Sequence, residues 1–305
     1  MKVLAIIVTY NGMQWHERCF SSLEASTLPV DTFVVDNASS DDTVGYVKNN
    51  FPKIKLIESS INLGFGQANN KGMKYALENG YDFVFLLNQD AWIEPNTVEV
   101  LVGIQMNNKA FGILSPMHLV AEKDKFEYSF SNFIIPTYSS SDFLNDLYIN
   151  KVKDIYSTQF VNAAAWLISK ECLETVGGFD PIFFHYEEDM NYTHRVLYHG
   201  FKIGFCPSVS ICHDCANRII EQKHIDKTYY NRLITGFVDI NNRSAIKELN
   251  RLLFTRIVRL PKLLLLFKLV KLKENILLFQ YLIKNKSAIL RSRSINIVKG
   301  AHYIS

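Results

Sequence analysis

The chain has 305 residues, of which 48% are hydrophobic and 21% are charged. This composition excludes a disordered chain and allows a large hydrophobic core. Five cysteines at irregular spacing exclude the disulfide framework of a small secreted protein and favour a reduced, cytoplasmic protein.

The net charge of +3 hides an uneven distribution of charge. Residues 243–299 hold 14 Lys and Arg but only 2 Asp and Glu, so this segment is strongly basic and the rest of the chain is acidic. No stretch is long and uncharged enough to predict a spanning helix. The amino-terminal "MKVLAIIVTYNG" leads into polar residues and lacks the cleavage site of a signal peptide.

Strand and helix signals alternate along the first 115 residues. Short runs rich in β-branched residues predict strands at 3–9, 32–36, 54–58, 83–87 and 111–115. The stretches between them predict helices over about 13–26, 40–50, 66–79 and 95–107. Strands that are apolar throughout and separated by helices are typical of a Rossmann-like α/β fold, a mostly parallel sheet with helices on both faces.

The rest of the chain is less regular. Residues 117–158 are rich in Ser, Asp, Asn and aromatic residues without a sustained period, which predicts an irregular excursion. Ordered elements return as a strand near 160–169, helices near 170–176 and 187–199, and a strand at 202–206. A basic, Leu-rich tail begins near residue 243 and predicts further helices.

Polar residues follow each of the first four predicted strands. They are Thr9, Tyr10, Asn11, Asp36, Asn62, Asn88 and Asp90, and Gly64 follows closely after Asn62. In an open parallel sheet the carboxyl ends of the strands share one edge, and ligands bind in the crevice outside it. The chain has no G-x-G-x-x-G after the first strand and no G-x-x-x-x-G-K-[ST], which disfavours a nicotinamide dinucleotide site and excludes a P-loop. A divalent metal on Asp90 could hold a diphosphate instead.

Six motifs in the same order carry a family resemblance. They are "IIVTYNG", "VVDNASSDDT", "NLGFGQANNKG", "FLLNQDAWI", "GGFDPIFFHYEEDMNYTHR" and "CHD". With them, residues 3–215 resemble the family 2 inverting glycosyltransferases, which use nucleotide-sugar donors and have the GT-A fold. Within that family the chain is similar to bacterial rhamnosyl- and galactosyltransferases of surface-polysaccharide assembly.

The resemblance implies a role for each strand-end residue. Asn69 is a further candidate for the donor site, and His213 matches a histidine that completes the metal site of the family. The residues that bind the nucleotide-sugar donor would be Thr9, Tyr10, Asn11, Asp36, Asn62, Gly64 and Asn69. Asp90 would bind Mg²⁺ or Mn²⁺. Asn88 replaces the first Asp of the Asp-x-Asp motif and would either ligate the metal or contact the sugar.

The acidic motif "YEEDMNYTHR" supplies the predicted catalytic group. The resemblance implies that Asp189 is the general base, with Glu188 beside it. We expect the charge of Glu188 to raise the pKa of Asp189 by like-charge repulsion. Such an enzyme would move a hexose or deoxyhexose from a UDP- or dTDP-sugar to a glycan acceptor, which we expect to be lipid-linked.

The resemblance also implies the domain organisation. Residues 1–240 would form the catalytic domain, with nucleotide-sugar binding in 1–115 and acceptor binding and catalysis in 116–240. Residues 241–305 would form a basic helical region. This region could lie on an anionic membrane, at the inner face of the cell membrane, or pack on the catalytic domain; it could also form a homodimer interface. A nucleic-acid partner is disfavoured because the tail has few aromatic residues for stacking.

Several of these residues would also suit a purely structural role. Asp36 and Asp90 would each suit a turn, and the acidic run at 187–189 would suit a helix N-terminus. Cys212, His213 and Cys215 are close enough together to suggest zinc, although a fourth ligand is needed. At the level of function, the alternatives are a sugar-nucleotide nucleotidyltransferase and an inactive module that binds sugar nucleotides.

Overall fold

A nine-stranded sheet forms the centre of the molecule. The structure is a computed structural model that describes residues 1–135, 142–215 and 222–304, with 222–227 described by their backbone alone. The strands are β1 (Val3–Thr9), β2 (Val30–Asp36), β3 (Lys55–Glu58), β4 (Phe83–Leu87), β5 (Ala91–Ile93), β6 (Phe111–Leu119), β7 (Tyr156–Thr158), β8 (Ala165–Ser169) and β9 (Lys202–His213).

Eleven helices lie in the described part of the chain. They are α1 (Met13–Glu24), α2 (Thr43–Asn50), α3 (Gly64–Glu78), α4 (Thr97–Asn107), α5 (Tyr128–Phe133), α6 (Phe143–Tyr148), α7 (Lys170–Val176), α8 (Glu188–Tyr198), α9 (Gln222–Val238), α10 (Ala245–Leu265) and α11 (Leu269–Asn296). The alternation of strands and helices over the first 115 residues is confirmed.

The strand order is β3-β2-β1-β4-β8-β6-β9-β5, and β7 pairs with β9. The four strands β3, β2, β1 and β4 are parallel, as predicted. Beyond β4 the sheet is mixed, because β8 runs antiparallel between β4 and β6 while β6 and β9 are parallel. The crevice at the strand ends is therefore built from the parallel half of the sheet together with β8 and β9.

Both faces of the sheet are covered, which explains the uninterrupted apolar sequence of β1. Leu4 and Ile6 belong to a core with α3 on one face. Ala5 and Ile7 belong to a second core with α1 on the opposite face. A strand buried on both faces has no polar side in its sequence. The polar residues that follow such a strand therefore mark the edge where it meets solvent.

The predicted irregular excursion is only partly correct. Residues 117–158 contain α5, α6 and β7, and β6 extends into them as far as Leu119; 136–141 lie outside the described residues. Each new element is anchored by a buried aromatic, such as Phe130 and Phe143. Elements of three to six residues are too short to produce a periodic pattern, which is why the sequence did not predict them.

The strand predicted at 202–206 is longer than expected. It continues through Pro207 to His213, and its pairing with β6 shifts register after Cys206. A proline inside a strand is tolerated at such an irregularity, but it breaks the sequence signal. The added length matters because it brings His213 opposite Ala91 in the short strand β5, which the sequence did not predict.

The carboxyl-terminal helices pack on the rest of the molecule. Residues of α9, α10 and α11 share a third hydrophobic core with Phe183. The buried carboxylate of Asp180 accepts hydrogen bonds from Ser292 Oγ at 2.6 Å, Asn296 Nδ2 at 2.9 Å and Tyr303 OH at 3.1 Å. Within the described residues, no helix has the length and apolar character needed to cross a membrane. The domain boundary at 240 stays a prediction.

Candidate active site

The ends of β1 and β2 form the first part of the site. Thr9 and Asp36 are both buried, and Thr9 Oγ1 donates a hydrogen bond to Asp36 Oδ1 at 3.1 Å. Asp36 Oδ2 accepts from the backbone N–H of Ser39 at 3.0 Å, and the Ser39 hydroxyl donates to Oδ1. The carboxylate is therefore held rigidly at the edge of the crevice.

Tyr10 and Asn11 continue from the end of β1 on the solvent side. Asn11 has a left-handed backbone, with φ of 49°, and its side-chain oxygen accepts from the backbone N–H of Ser40 at 2.8 Å. Tyr10 is 49% exposed. The side chain of Gln89 makes two hydrogen bonds to the Tyr10 backbone, accepting from Tyr10 N at 2.9 Å and donating to Tyr10 O at 3.1 Å. The ends of β1 and β4 are thus tied together, as their parallel pairing requires.

The loop after β3 closes over the same edge. Asn37 holds it, donating to Gly64 O at 3.1 Å and accepting from Leu63 N at 3.0 Å. Asn62 accepts from Gly64 N at 2.8 Å. Gly64 has a φ of 77°, and a side chain there would collide with the carbonyl oxygen of Phe184. Glycine is therefore required, because this loop presses against the loop that leads into α8.

Asn69 lies in α3 and bonds within its own helix. It is buried, and its side chain donates to the carbonyl oxygen of Phe65, one turn earlier, at 3.0 Å. The neighbouring Asn70 makes the longer-range contact, donating to Phe179 O at 2.8 Å and accepting from Phe179 N at 2.7 Å. Asn70 thereby fixes the "GGFD" segment against α3.

Asp90 and His213 come together through the pairing of β5 with β9. Ala91 lies opposite His213 in this antiparallel pair. His213 Nε2 is 3.3 Å from Asp90 Oδ1 and 3.4 Å from the side-chain nitrogen of Asn88. Asp90 and His213 are both buried. The two residues predicted as metal ligands are therefore adjacent, although they lie far apart in the chain, and Asn88 lies beside them.

Two residues that the sequence did not predict complete this cluster. Glu127 Oε2 accepts from His213 Nδ1 at 2.8 Å and lies 3.5 Å from His118 Nδ1. Burial opposes ionisation of Glu127, but hydrogen bonds from His118 and His213 outweigh it and hold the pKa of the carboxyl well below its usual range. Burial likewise opposes protonation of His213, yet its hydrogen bonds to Asp90, Cys215 and Glu127 raise the pKa of the imidazole.

The arrangement fits a divalent cation. Metal-binding histidines commonly present one ring nitrogen to the metal while a carboxylate holds the other, and here Glu127 holds Nδ1 while Nε2 faces Asp90. The concentration of negative charge that raises the pKa of His213 would also attract a cation. Within the described part of the chain, His118, Glu127 and His213 form a group of potential metal ligands that contains no cysteine. This grouping gives no support to the zinc alternative at Cys212 and Cys215.

Asp189 lies in the first turn of α8. Burial of its carboxyl raises the pKa of Asp189 to about 6, with a further contribution from the charge of Glu187 and opposition from the backbone N–H groups of Met190 and Ala163. The predicted main cause was therefore wrong: burial has the largest effect, and like-charge repulsion, here from Glu187, is a smaller one. Glu188 is itself buried, at 5% exposure.

The turn before α8 has an unusual backbone. Tyr186 and Glu187 both have positive φ, at 70° and 73°. Such conformations are costly for residues other than glycine and persist where the surroundings enforce them. Here α9 supplies the restraint: Asn231 Nδ2 donates to His185 O at 2.9 Å and to Tyr186 O at 3.1 Å, and Arg232 Nε lies 3.2 Å from a Glu187 carboxylate oxygen.

A short path of backbone contacts joins Asp189 to the predicted metal ligands. Asn88 N donates to Ala164 O at 2.9 Å, and the adjacent Ala163 N–H lies against the Asp189 carboxyl. The predicted base and the predicted metal ligands therefore lie on one edge of the sheet, at the end of β4. A carboxylate ready to accept a proton and a cation site side by side suit the transfer of a group from a diphosphate.

The sequence that forms this edge matches a known protein family. A model of glycosyl transferase family 2 matches residues 4–176 of the chain. The chain belongs to glycosyl transferase family 2. The matched residues include the ends of β1, β2 and β4, so the family match covers the predicted donor residues and Asp90, while Asp189 and His213 follow after it.

Relatives of this glycosyltransferase are named as hexosyl- and rhamnosyltransferases. It is 24% identical over 243 residues to the low-salt glycan biosynthesis hexosyltransferase Agl10 of Haloferax volcanii, covering 78% of this chain and 73% of that protein. It is 24% identical over 235 residues to N-acetylglucosaminyl-diphospho-decaprenol L-rhamnosyltransferase of Mycobacterium tuberculosis, covering 70% and 76%. It is 23% identical over 220 residues to the dTDP-rhamnosyl transferase RfbF of Shigella flexneri, covering 72% and 71%.

Solved structures with the same fold include S. aureus TarS 1-349 in complex with UDP. That comparison gives a TM-score of 0.56 at 18% identity and covers 79% of this chain and 66% of TarS 1-349. The structure of GalNAc-T7 with UDP, GalNAc and Mn²⁺ gives a TM-score of 0.58 at 17% identity, covering 78% of this chain and 48% of that one. At this identity the likeness establishes the fold, which is the GT-A fold.

Proposed function

We propose that this glycosyltransferase is an inverting, metal-dependent enzyme. It moves a hexose or deoxyhexose from a UDP- or dTDP-sugar to a glycan acceptor carried on a lipid. The observation that carries the proposal is the position of Asp189, whose pKa is raised to about 6, on the same sheet edge as the buried pair of Asp90 and His213.

The choice of substrates draws on the comparisons. TarS 1-349 was solved with UDP, and RfbF is named for a dTDP-linked sugar. The mycobacterial relative is named for an acceptor on diphospho-decaprenol. A lipid-linked acceptor would place the enzyme on the cytoplasmic, inner face of the cell membrane. The basic helices α10 and α11 favour the same location, since anionic lipids attract clustered Lys and Arg.

The residues of the site account for a single in-line displacement. Asp189 takes the proton of the acceptor hydroxyl while that oxygen bonds to the anomeric carbon from the face opposite the diphosphate. The bond from the anomeric carbon to the diphosphate oxygen breaks, and its electron pair leaves with the nucleoside diphosphate. Inversion follows because attack and departure occur on opposite faces.

The remaining residues hold the donor. Thr9, Tyr10, Asn11 and Asp36 line the nucleoside end, where Asp36 is fixed by Thr9 and Ser39. Asn62 and Gly64 close the loop over it, and Asn69 stays a prediction for the same site. Asp90 and His213 Nε2 would hold Mg²⁺ or Mn²⁺, with Asn88 beside them and Glu127 orienting the imidazole. Such an ion neutralises the charge that develops on the leaving diphosphate.

Incubation of the full chain with labelled UDP- and dTDP-sugars, with Mn²⁺ or with EDTA, tests this proposal. We expect release of the nucleoside diphosphate in Mn²⁺ and its loss in EDTA. With an acceptor present, proton NMR of the product should show the anomeric configuration opposite to that of the donor. Retained configuration would overturn the inverting mechanism, and equal turnover in EDTA would overturn metal dependence.

The same assay separates two other functions. A sugar-nucleotide nucleotidyltransferase would form the sugar nucleotide from a nucleoside triphosphate and a sugar phosphate, and would release diphosphate. An inactive module would bind the donor without turnover, an outcome suggested by Asn88, which replaces the first Asp of the Asp-x-Asp motif. The paired Asp90 and His213, together with the raised pKa of Asp189, favour the enzyme.

A further inference from the structure

A basic groove lies between α9, α10 and α11, outside the site described above. Its volume is about 1010 Å³, and five of its lining residues are cationic while one is acidic. The cations are Arg256, Arg259, Lys262, Lys268 and Lys271. Tyr229 and Tyr230 of α9 form another wall. A groove with this excess of positive charge is suited to a group that carries more than one negative charge.

Arg256 is half-buried and makes few hydrogen bonds through its guanidinium. Its Nη1 reaches Asn275 Oδ1 at 3.4 Å, and its Nε is buried without a hydrogen-bond partner among the described residues. Buried guanidinium nitrogens are normally paired, so an unpaired one beside a basic groove points to an anionic ligand. Asn275 is buried and donates to Arg256 O at 2.8 Å, which fixes the wall of the groove.

Beside the groove, the junction of α10 and α11 exposes large apolar side chains. Phe267 is 85% exposed and Leu265 is 78% exposed, and Leu264, Leu269 and Val270 are exposed as well. Contiguous exposed apolar surface marks a site of contact with a partner or a membrane. We call residues 264–270 the apolar tip. Cations around an apolar tip are the pattern of a segment that enters the interface of an anionic bilayer.

The groove is close to the catalytic turn. Tyr229 and Tyr230 line the groove, while the next residues of α9, Asn231 and Arg232, contact the turn at 185–187. A single stretch of α9 therefore contributes both to the groove and to the restraint of the turn. A ligand in the groove would therefore lie near the turn that precedes Asp189.

We propose that the groove binds the diphosphate of an isoprenoid-linked acceptor while the apolar tip enters the membrane and receives the isoprenoid chain. The inference rests on the proposed function for the identity of the acceptor. It deepens that function by giving the acceptor a binding site formed by α9, α10 and α11. An isoprenoid diphosphate combines the two features the surface presents, since it joins a compact multiple anion to an apolar chain.

Calorimetric titration of the full chain with farnesyl diphosphate, in EDTA so that no metal bridges the donor site, tests the groove. We expect binding, with farnesol and inorganic diphosphate each at least tenfold weaker because each supplies one half of the ligand. The double variant K268Q/K271Q should lose at least tenfold in affinity. The matched control variant K273Q/K284Q removes two charges from α11 outside the groove, and its affinity for farnesyl diphosphate should change less than twofold.

Binding to vesicles distinguishes recognition of the isoprenoid diphosphate from a general attraction to anionic lipid. Phosphatidylcholine vesicles that contain undecaprenyl diphosphate should retain more protein than vesicles in which phosphatidylglycerol supplies the same amount of negative charge. The variant K268Q/K271Q should abolish this difference. Equal retention, equal weakening by the two charge pairs, or failure to bind farnesyl diphosphate would overturn the inference. A dimer that buries the apolar tip would also overturn it. Sedimentation would detect such a dimer, and Phe267→Ser would then leave vesicle binding unchanged.

Failure of the groove and failure of the proposed function give different results. Donor hydrolysis in Mn²⁺ reports the catalytic site alone, and we expect wild type, K268Q/K271Q and K273Q/K284Q to hydrolyse the donor at equal rates. Hydrolysis without binding of farnesyl diphosphate would refute only the groove. Binding of farnesyl diphosphate without any donor turnover would refute the proposed enzyme while leaving an isoprenoid-diphosphate site in place.

Discussion

At the scale of single residues, Asp189 carries the chemistry of the proposed reaction. Asp189→Asn keeps the shape and the contact with the Met190 N–H while removing the proton acceptor. We expect turnover to fall about 10²- to 10⁴-fold, the usual contribution of a general base. Donor affinity, measured by titration with UDP or dTDP, should stay within about twofold. A loss of affinity as large as the loss of turnover would assign Asp189 to donor binding instead.

The pKa of Asp189 predicts how turnover depends on pH. Only the ionised carboxylate accepts a proton, and burial raises its pKa to about 6, so turnover should fall as pH drops through about 6. Glu187→Gln removes a charge that raises this pKa, and the midpoint of the pH–rate profile should move to lower pH. Glu174→Gln, which breaks an exposed ion pair with Lys170, is the control. An unmoved midpoint in Glu187→Gln would contradict the assignment.

Glu127 acts through His213. Glu127→Gln removes the carboxylate that holds His213 Nδ1, and losing such an outer partner typically costs about 10- to 100-fold in metal affinity. We expect that loss for Mn²⁺, measured by the electron paramagnetic resonance of the free ion. Asp214→Asn is the control, since this nearby acid accepts from Trp15 Nε1 at 2.9 Å. Equal Mn²⁺ affinity in the two variants would remove Glu127 from the metal site.

The sequence predicted Asp36, Asp90, Asp189 and His213 because each follows or begins an element in a motif of recognisable type. It did not predict Glu127, which precedes a six-residue helix in a stretch without periodicity. Glu127 reaches the site because its backbone N–H bonds to His118 O at 2.9 Å, folding the chain back along β6. A contact of this kind depends on tertiary structure and leaves no local pattern.

At the scale of elements, α9 restrains the turn that positions Asp189. Asn231→Ala removes two hydrogen bonds to the carbonyls of His185 and Tyr186, so the left-handed turn should relax. We expect turnover to fall roughly ten- to a hundredfold through misplacement of the base. Donor affinity should hold. Asn285→Ala, which removes a bond within α11 to Tyr281 O, is the matched control. Equal turnover in the two variants would show that the turn holds its shape without α9.

Elements with a long uniform pattern were predicted well, and those whose pattern is interrupted were not. The apolar runs of β1 and β4 predicted strands correctly because both faces are covered. Pro207 cut the prediction of β9 short, although the register shift accommodates it. The antiparallel place of β8 between β4 and β6 also left no signal, because a strand buried on both faces looks the same in either direction.

At the scale of the whole molecule, the basic tail is packed at one end and exposed at the other. Leu249, Leu282 and Ile289 are buried in the third hydrophobic core, whereas Phe267 and Leu269 are exposed at the far end of the helical pair. Composition gives the charge of this region, but it does not say which end is packed. The positions of its lysines did not reveal this difference between the two ends either. The helices are packed at one end and exposed at the other, so the lysines do not fall on a single helical face.

Asp180 joins α11 to the loop before α8 and gives the last prediction. Asp180→Ala leaves Ser292, Asn296 and Tyr303 without their shared acceptor in a buried site. Losing three hydrogen bonds to a buried carboxylate is costly, so the free energy of unfolding in urea should fall by on the order of 3 kcal/mol. Limited proteolysis should also cut faster at 239–244, between α9 and α10. Asp82→Ala removes an exposed acceptor of Lys2 N and should do neither. Equal stability of the two variants would mean that hydrophobic contacts alone hold α11 in place.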